Sequence, residues 1–319
     1  MKIFFYMNYL MMFFLPVLSL SSSDWILSWF YMEIMLMFFY SFFFKINQDI
    51  LTNFSSMKYF IIQGMASLFL LVSGLMIFYH NMSTLMILIF FISLLIKLGV
   101  FPFHFWVVPI LKNLNIIMLF LLLFIMKIIP LSFMNIIFFE ISNNSIMTVF
   151  FLFFSFCTMF IGSFMGNNFS SMNLMLGSSS INHSGWFLLS ISMGLLWMYF
   201  FIYGLTLLFF LFSIYSMENL GIFLSLIGLS GLPPFAVFFA KLKVIMFFIL
   251  NKYFLLIVLL IILSVISLKF YLKFSFFYYL KLKKYFFSFS YISLLFFLFN
   301  SIVMFIYLFF YSLIKKHQI

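Results

Sequence analysis

The chain has 319 residues, of which 67% are hydrophobic and only 7% charged, with 16 Lys+Arg against 5 Asp+Glu for a formal net charge of +11. At a mean hydropathy of +1.32 there is too little polar material to clothe a water-soluble domain, so composition excludes a soluble enzyme and points to an all-α polytopic membrane protein. The single cysteine, Cys157, excludes a disulfide framework and any four-thiolate cluster built by this chain alone, and the four scattered histidines (His80, His104, His183, His317) offer no i, i+4 pair for a metal.

Apolar runs near the roughly 20 residues that cross a hydrocarbon core of about 30 Å recur about eleven times. In chain order the expected helices are 3–20, 25–44, 57–79, 84–106, 114–132, 145–166, 169–190, 191–213, 218–250 with an interruption, 253–274 and 286–312, which leaves no soluble domain. The first, with Lys2 ahead of an apolar core and small serines after it, has the outline of a signal peptide. With ten spans behind it, the commoner reading is a first helix that stays attached. The runs 169–190 and 191–213 almost touch, so the sequence marks their boundary least.

The chain holds 58 Phe and 25 Met, and every one of its 16 basic residues is lysine. Packing in a membrane does not explain that bias. Phe, Ile, Met, Asn, Lys and Tyr share A/T-rich codons in animal mitochondria, whereas Ala, Arg, Gly and Pro need G or C. An A/T-rich organellar gene, such as one from an insect mitochondrion, accounts for it. The start of the chain also lacks the Arg-rich amphipathic character of an import presequence.

Alternating helices place Lys2, Lys45, Lys58, Lys112, Lys273, Lys281, Lys283 and Lys284 on one side and Lys252, Lys315 and Lys316 on the other. The lysine-rich side is expected to be the matrix or cytoplasm, which for an organellar protein puts the N-terminus in the matrix and the C-terminus on the intermembrane-space side. Asp24, Asp49, Glu140 and Glu218 fall at expected helix ends and read as interfacial.

Two lysines break this pattern. Lys97 in SLLIKLGVFPFHFW and Lys241 in GLSGLPPFAVFFAKL stand inside apolar runs, where a lysine at the centre of a span costs roughly 2.5–3.5 kcal/mol. Pro102 lies just after the first, and Gly231, Pro233 and Pro234 just before the second. Proline removes a backbone donor and frees a carbonyl, and a membrane tolerates such groups only where protein or a wet cavity surrounds them. Discontinuous helices are therefore expected near Pro102 and near Pro233/Pro234; a packed kink is the plainer alternative for either one taken alone.

The spans fall into a five-helix block over 3–132, a second over 145–274 and a C-terminal helix over 286–312. An odd number of helices per block gives the blocks opposite orientation, the pattern of inverted-repeat transporters. Lys97 and Lys241, 144 residues apart, then occupy the fourth helix of each block, and Lys127 matches Lys269 at an offset of 142. Lys269 is near the expected matrix end, where snorkelling is the preferred reading.

Five motifs follow one another: SSSDWILSWFYMEIMLMFF with Glu33, Lys97-Leu98-Gly99 leading into PFHFW at Trp106, KIIPLS from Lys127, SSSINHSGW from Ser178 to Trp186, and GLPPFAVFFAK ending at Lys241. Their order and helix placement resemble the antiporter-like membrane subunits of NADH:ubiquinone oxidoreductase, respiratory complex I, over most of the chain. The resemblance implies a shortened animal form lacking the first three helices of the bacterial members, which agrees with eleven spans. Asn182 stands where an alanine is common, Ala240 where a proline is common, and Lys243 is an extra charge; the seven-residue distance from Pro234 favours Lys241 as the lysine facing a channel.

The resemblance implies a proton-translocating subunit of an NADH:ubiquinone reductase in the mitochondrial inner membrane. Electron transfer would occur in other subunits, with NADH, FMN, iron–sulfur clusters and ubiquinone bound there and no cofactor here. No Gly-rich dinucleotide fingerprint or cluster ligand set is legible in this chain, in keeping with that division. Other membrane subunits of the complex and lipids are the expected partners, with no nucleic acid and no homo-oligomer.

Desolvation disfavours an ammonium and a nearby carboxylate favours it. Glu33, where it approaches Lys97, would keep that lysine protonated, and its withdrawal would release the proton, with Lys127 and Lys241 carrying it toward an exit as a coupled set. A structural ion pair is the plainer alternative for Glu33. His104 and His183 could extend a proton wire or simply pack, and Ser178, Ser179, Ser180 and Asn182 could hold water around His183 or only bond between helices. Two rival functions remain open: a free-standing cation/proton antiporter, which would work without redox partners, and a structural spacer whose lysines are idle.

Overall fold

Backbone amides surrounded by hydrocarbon find partners only within their own helix, and every regular element among the described residues is helical. The structure is a computed structural model and describes residues 2–43, 50–79, 84–112, 114–141, 145–282 and 291–317. The elements are α1 (Lys2–Ser21), α2 (Trp25–Phe43), α3 (Ile50–Tyr79), α4 (Thr84–Leu98), a 3-10 turn (Phe103–Trp106), α5 (Val107–Leu111), α6 (Ile116–Leu123), a second 3-10 turn (Ile125–Lys127) and α7 (Ile128–Ile141). They continue with α8 (Ser145–Asn168), α9 (Met172–Ser192), α10 (Leu196–Tyr215), α11 (Asn219–Ser230), α12 (Ala236–Leu250), α13 (Phe254–Leu282) and α14 (Tyr291–His317).

Seven helical stretches are long and apolar enough to cross a membrane: Trp25–Phe43, Phe54–Tyr79, Thr84–Leu111, Ile116–Phe139, Thr148–Asn168, Leu196–Tyr215 and Phe254–Lys281. Shorter apolar helices are found at Tyr6–Ser21, Asn219–Ser230 and Tyr291–Tyr307. Serines such as Ser93 and Ser155 can be buried inside these helices because their hydroxyls return to the preceding turn. Ser93 Oγ donates to Phe90 O at 2.7 Å and Ser155 Oγ to Leu152 O at 2.6 Å.

The chain divides into two compact units, Met1–Ile161 with Asn173–Gly185, and Gly162–Met172 with Trp186–Ile319. In the first, α2 packs on α1 and α3, and α4 packs on α3 and α7. Phe91 and Phe138 close on Phe151 with ring centroids 4.7 and 4.9 Å away. In the second, α11 packs on α10 and α13 while α12 and α14 touch each other, and Phe296 stands 5.5 Å from Phe209 and 5.8 Å from Phe235.

The two expected interruptions are present, and there is a third. After α4, Gly99 takes φ +68. Its amide bonds Ile96 O at 3.2 Å while the Val100 amide bonds Leu95 O at 3.0 Å, the paired closure of a Schellman motif that needs a left-handed residue. After α11, Gly231 takes φ +77 in the same role. The peptide bonds preceding Pro102 and Pro234 are cis.

The third interruption divides the span expected as one helix over 114–132. Phe124 leaves helical geometry at φ −120, ψ −65, a 3-10 turn ends on Lys127, and α7 then runs on to Ile141. Pro130 supplies the reason, since it has no amide to give to Met126 O. Two expected ends also shift: α3 begins at Ile50, which moves Lys58 from the helix start to its third turn, and α13 reaches Leu282, which puts Lys281 in its last turn. Lys45, Asp49, His80, Lys283 and Lys284 lie outside the described residues.

Candidate functional site

In the first unit α4 ends one residue after Lys97, and the chain must leave the helix there because Gly99 closes it. Lys97 therefore projects beside the interruption, where its Nζ donates to Glu33 Oε1 of α2 at 3.1 Å. This ion pair is asymmetric: the lysine side chain is 2% exposed and that of Glu33 20%. The end of α4 needs a further donor for its carbonyls, and the Trp106 indole provides it, donating from Nε1 to Ile96 O at 2.9 Å.

Lys127 is 6% exposed at the end of the second 3-10 turn. Its Nζ donates to Ser180 O of α9 at 3.2 Å. The same stretch of α9 buries Ser178, Ser179, Ser180, Asn182, His183 and Ser184. The serine hydroxyls are engaged with Met175 O, Leu176 O, Gly177 O and Ile181 O, so they serve their own helix. Both amide atoms of Asn182 are buried without a hydrogen-bond partner.

A cavity of about 20 Å³ adjoins both lysines. Lys97, Trp106, Lys127 and Pro130 contribute the residues around the two helix interruptions, and Tyr59 and Gln63 of α3 contribute the remaining polar wall. Sequence reading missed Gln63. Its signal was a lone amide inside the apolar run from Tyr59 to Val72.

The second unit places Lys241, 4% exposed, in the second turn of α12. Its Nζ donates to Ser230 O at 2.8 Å, the last carbonyl of α11, and lies 5.5 Å from the centroid of the Trp186 ring. Gly231 is what lets the lysine approach: a Cβ there would meet Nζ at 3.0 Å and Cδ at 3.1 Å. The opening amide of α12 is capped from α14, Ala236 N donating to Asn300 Oδ1 at 2.7 Å. Asn300 too was missed, hidden as a single polar residue in FLFNSIV.

Lys243, the rival to Lys241, is only partly buried and reaches Met198 Sδ at 3.3 Å. The structure brings Glu33 to Lys97, and Lys97 and Lys127 to one cavity. His104 is buried with Nδ1 unpartnered, against Phe105 with centroids 4.3 Å apart; it does not line that cavity. His183 is fully buried in α9. Lys269 is exposed on α13, so the offset of 142 pairs a buried lysine with an exposed one. Among the described residues no group of three His, Cys, Asp or Glu could hold a metal ion.

Residues 22–225 match the family model described as NADH:quinone oxidoreductase/Mrp antiporter, TM. Among curated relatives, the NADH-ubiquinone oxidoreductase chain 2 of Albinaria caerulea is 36% identical over 273 residues, covering 84% of this chain and 87% of its own length. That of Anopheles gambiae is 33% identical over 295 residues, 84% of this chain and 83% of its own. Among solved structures, a chain of the Mrp complex from Dietzia sp. DQ12-45-1b superposes with a TM-score of 0.76 at 17% identity over 83% of this chain, which spans 59% of that chain's length. A chain of respiratory complex I from Thermus thermophilus with bound Aureothin gives 0.71 at 17% identity, covering 84% of this chain and 69% of that one. At such identities the two structures share its fold.

Proposed function

The chain belongs to the family of NADH-ubiquinone oxidoreductase chain 2, antiporter-like membrane subunits of the H+-translocating NADH:ubiquinone oxidoreductase, and we propose that Glu33, Lys97, Lys127 and Lys241 are the groups through which it moves protons. The observation that carries this reading is the Lys97–Glu33 pair at 3.1 Å beside an interrupted helix. A carboxylate in contact stabilises the ammonium, and its withdrawal leaves a desolvated cation that releases its proton more readily. Electron transfer in other subunits supplies the change that moves the carboxylate. Lys127 shares the cavity next to that pair, and Lys241 is the comparable group of the second unit. His104, His183 and Lys269 are secondary candidates.

The chain is a multi-span protein of the mitochondrial inner membrane that works among other membrane subunits. The lysine balance supports an N-terminus in the matrix and a C-terminus on the intermembrane-space side. The blocks 3–132 and 145–274 as repeats are supported by the buried lysine beside a helix interruption in the expected fourth helix of each, Lys97 and Lys241. Cofactors of the redox reaction belong to other subunits, lipids and those subunits surround this chain, and it forms no homo-oligomer.

The test is the assembled enzyme carrying Glu33→Gln, Lys97→Ala or Lys241→Ala, measured for protons moved per NADH oxidised. Each is expected to lower the ratio, or turnover where the two are strictly coupled. A normal ratio together with normal turnover in assembled Glu33→Gln enzyme removes the modulating role, and normal transport in a lysine variant removes that lysine from the path.

A further inference from the structure

The relay just described leaves a gap between Lys97 and Lys127, because each Nζ has its own partner elsewhere, Glu33 Oε1 for one and Ser180 O for the other. Tyr59, Gln63, Lys97, Trp106 and Lys127 supply the polar part of the wall of a cavity of about 20 Å³, and methionine, leucine and proline side chains supply the rest. Roughly 10–15 Å³ of such space holds one water, provided polar partners line it. One wall residue has an unspent donor there: Gln63 is 4% exposed, and its Nε2 is buried with no hydrogen-bond partner. A buried amide donor without a partner costs about 1–3 kcal/mol, so its place beside a water-sized cavity that two lysines also line calls for a ligand.

We propose that Gln63 is a positioning residue that holds a single water between Lys97 and Lys127, and that this water is the connection through which a proton passes between them. The inference rests on the relay reading above and adds a residue and a hydrogen-bond order to it. A water oxygen offers two lone pairs and two hydrogens, an ammonium offers donors only, and a neutral amine offers one lone pair. The Gln63 Nε2 hydrogen occupies one lone pair of the water and an ammonium the other. One water hydrogen is then free to point at an acceptor, which the single lone pair of a neutral lysine amine supplies and a second ammonium cannot. The site therefore fits one protonated and one neutral lysine. Transfer breaks an N–H bond of the first lysine as an O–H bond forms, and breaks another O–H bond of the same oxygen as an N–H bond forms on the second. Water is regenerated and no electron moves.

Gln63 sets which way the water faces. With its donor fixed on one lone pair, a hydrogen of the water is turned toward the neutral lysine instead of toward Gln63, so a carboxylate at this position would reverse the arrangement. Gln63→Glu places an acceptor where the donor was and draws a water hydrogen or an ammonium to itself. Gln63→Met keeps the unbranched shape and fills the same space with no donor at all.

Two measurements on the assembled complex decide the matter. High-resolution density of the wild-type enzyme should show one water in the cavity within about 2.7–3.2 Å of the Gln63 amide; a cavity closed by side chains or without such a water overturns the proposal. In the variants, Gln63→Met and Gln63→Glu should each slow proton-coupled NADH oxidation by about tenfold or more, since a positioned proton-transfer group commonly contributes more than that. Both should also change its dependence on bulk pH and on deuterated solvent, which a merely structural residue would leave alone. Wild-type rate, pH profile and isotope effect in either assembled variant overturn it. Lys127→Ala in the same assay separates the two levels. If Lys127→Ala is also silent, the relay through Lys127 falls; if it is inactive while Gln63→Met is normal, only the water's placement by Gln63 falls. Should a Gln63 variant not assemble, the wild-type density decides.

Discussion

Lys97 and Lys241 face one problem, an ammonium buried next to an interrupted helix, and the two units meet it with different chemistry. In the first unit the partner is a carboxylate on a neighbouring helix, Glu33 at 3.1 Å, itself 20% exposed. In the second the partners are the backbone carbonyl of Ser230 at 2.8 Å and the face of Trp186 at 5.5 Å. The single acidic residue of the second unit, Glu218, precedes α11, and a rise of 1.5 Å per residue puts it roughly 18 Å along the helix from Ser230. A side-chain carboxylate can rotate away or take up a proton, whereas a carbonyl at a helix end cannot. The difference teaches that the first lysine is built to be adjusted and the second to be held.

The largest expected effect comes from removing the adjustable partner. Glu33→Ala leaves Lys97 buried without its counter-charge, and breaking a buried pair costs about 3–5 kcal/mol, here toward the lower end because Glu33 is 20% exposed. Thermal stability of the assembled complex should fall, and Lys97→Met added to it should restore most of the loss. Unchanged stability in the single variant would erase the contrast between the units.

Next are the two glycines. Alanine in the left-handed region costs roughly 1–2 kcal/mol at either site. At Gly99, φ +68, a Cβ would also collide with Val107 Cγ2, so Gly99→Ala should assemble poorly. At Gly231, φ +77, the new atom meets the flexible end of Lys241 at 3.0 Å. Gly231→Ala should therefore assemble yet push the ammonium off Ser230 O and impair proton movement. Equal assembly yields for the two would show that packing around the interruptions is softer than these contacts imply.

Smaller effects sharpen the same contrast. Trp106→Phe removes the indole donor from Ile96 O, which keeps the Gly99 amide, so the loss is that of one hydrogen bond, about 0.5–1.5 kcal/mol; the melting temperature should drop with the Glu33 pair intact. Trp186→Phe keeps an aromatic face for Lys241, so the change in ring attraction should be the smallest of these effects, roughly 0.5–1 kcal/mol, beside the space a smaller ring leaves in a fully buried site. A larger loss there would mean that Lys241 depends on the ring more than on the carbonyl.

Much of this arrangement was legible in the sequence because charge in an apolar run is conspicuous. Lys97, Lys241 and Glu33 could be named for that reason, and Pro102 and Pro233/Pro234 marked two interruptions. The interruption at Phe124–Lys127 was not legible, since Pro130 falls in the first turn of α7, where proline is ordinarily tolerated and gives no sign of a break behind it. Gln63 and Asn300 were invisible for a different reason. A single amide in an apolar helix reads like any serine that bonds its own backbone, and only the structure shows one aimed at a cavity and the other at the start of α12. The ends of α3 and α13 ran past expectation because aromatic and aliphatic residues continue through their lysines.

The cap that Asn300 places on Ala236 has a bearing on how the chain is made. Glu33 precedes Lys97 and Trp106 follows it within ten residues, so the first lysine meets its partner, and the end of α4 its indole donor, almost as soon as they leave the ribosome. The start of α12 must wait until Asn300, 64 residues later, has been synthesised and inserted. During that interval the helix carrying Lys241 lacks an acceptor for its first amide, and a nascent chain stopped before α14 would present that defect to the insertion machinery and to the proteases that clear unfinished subunits.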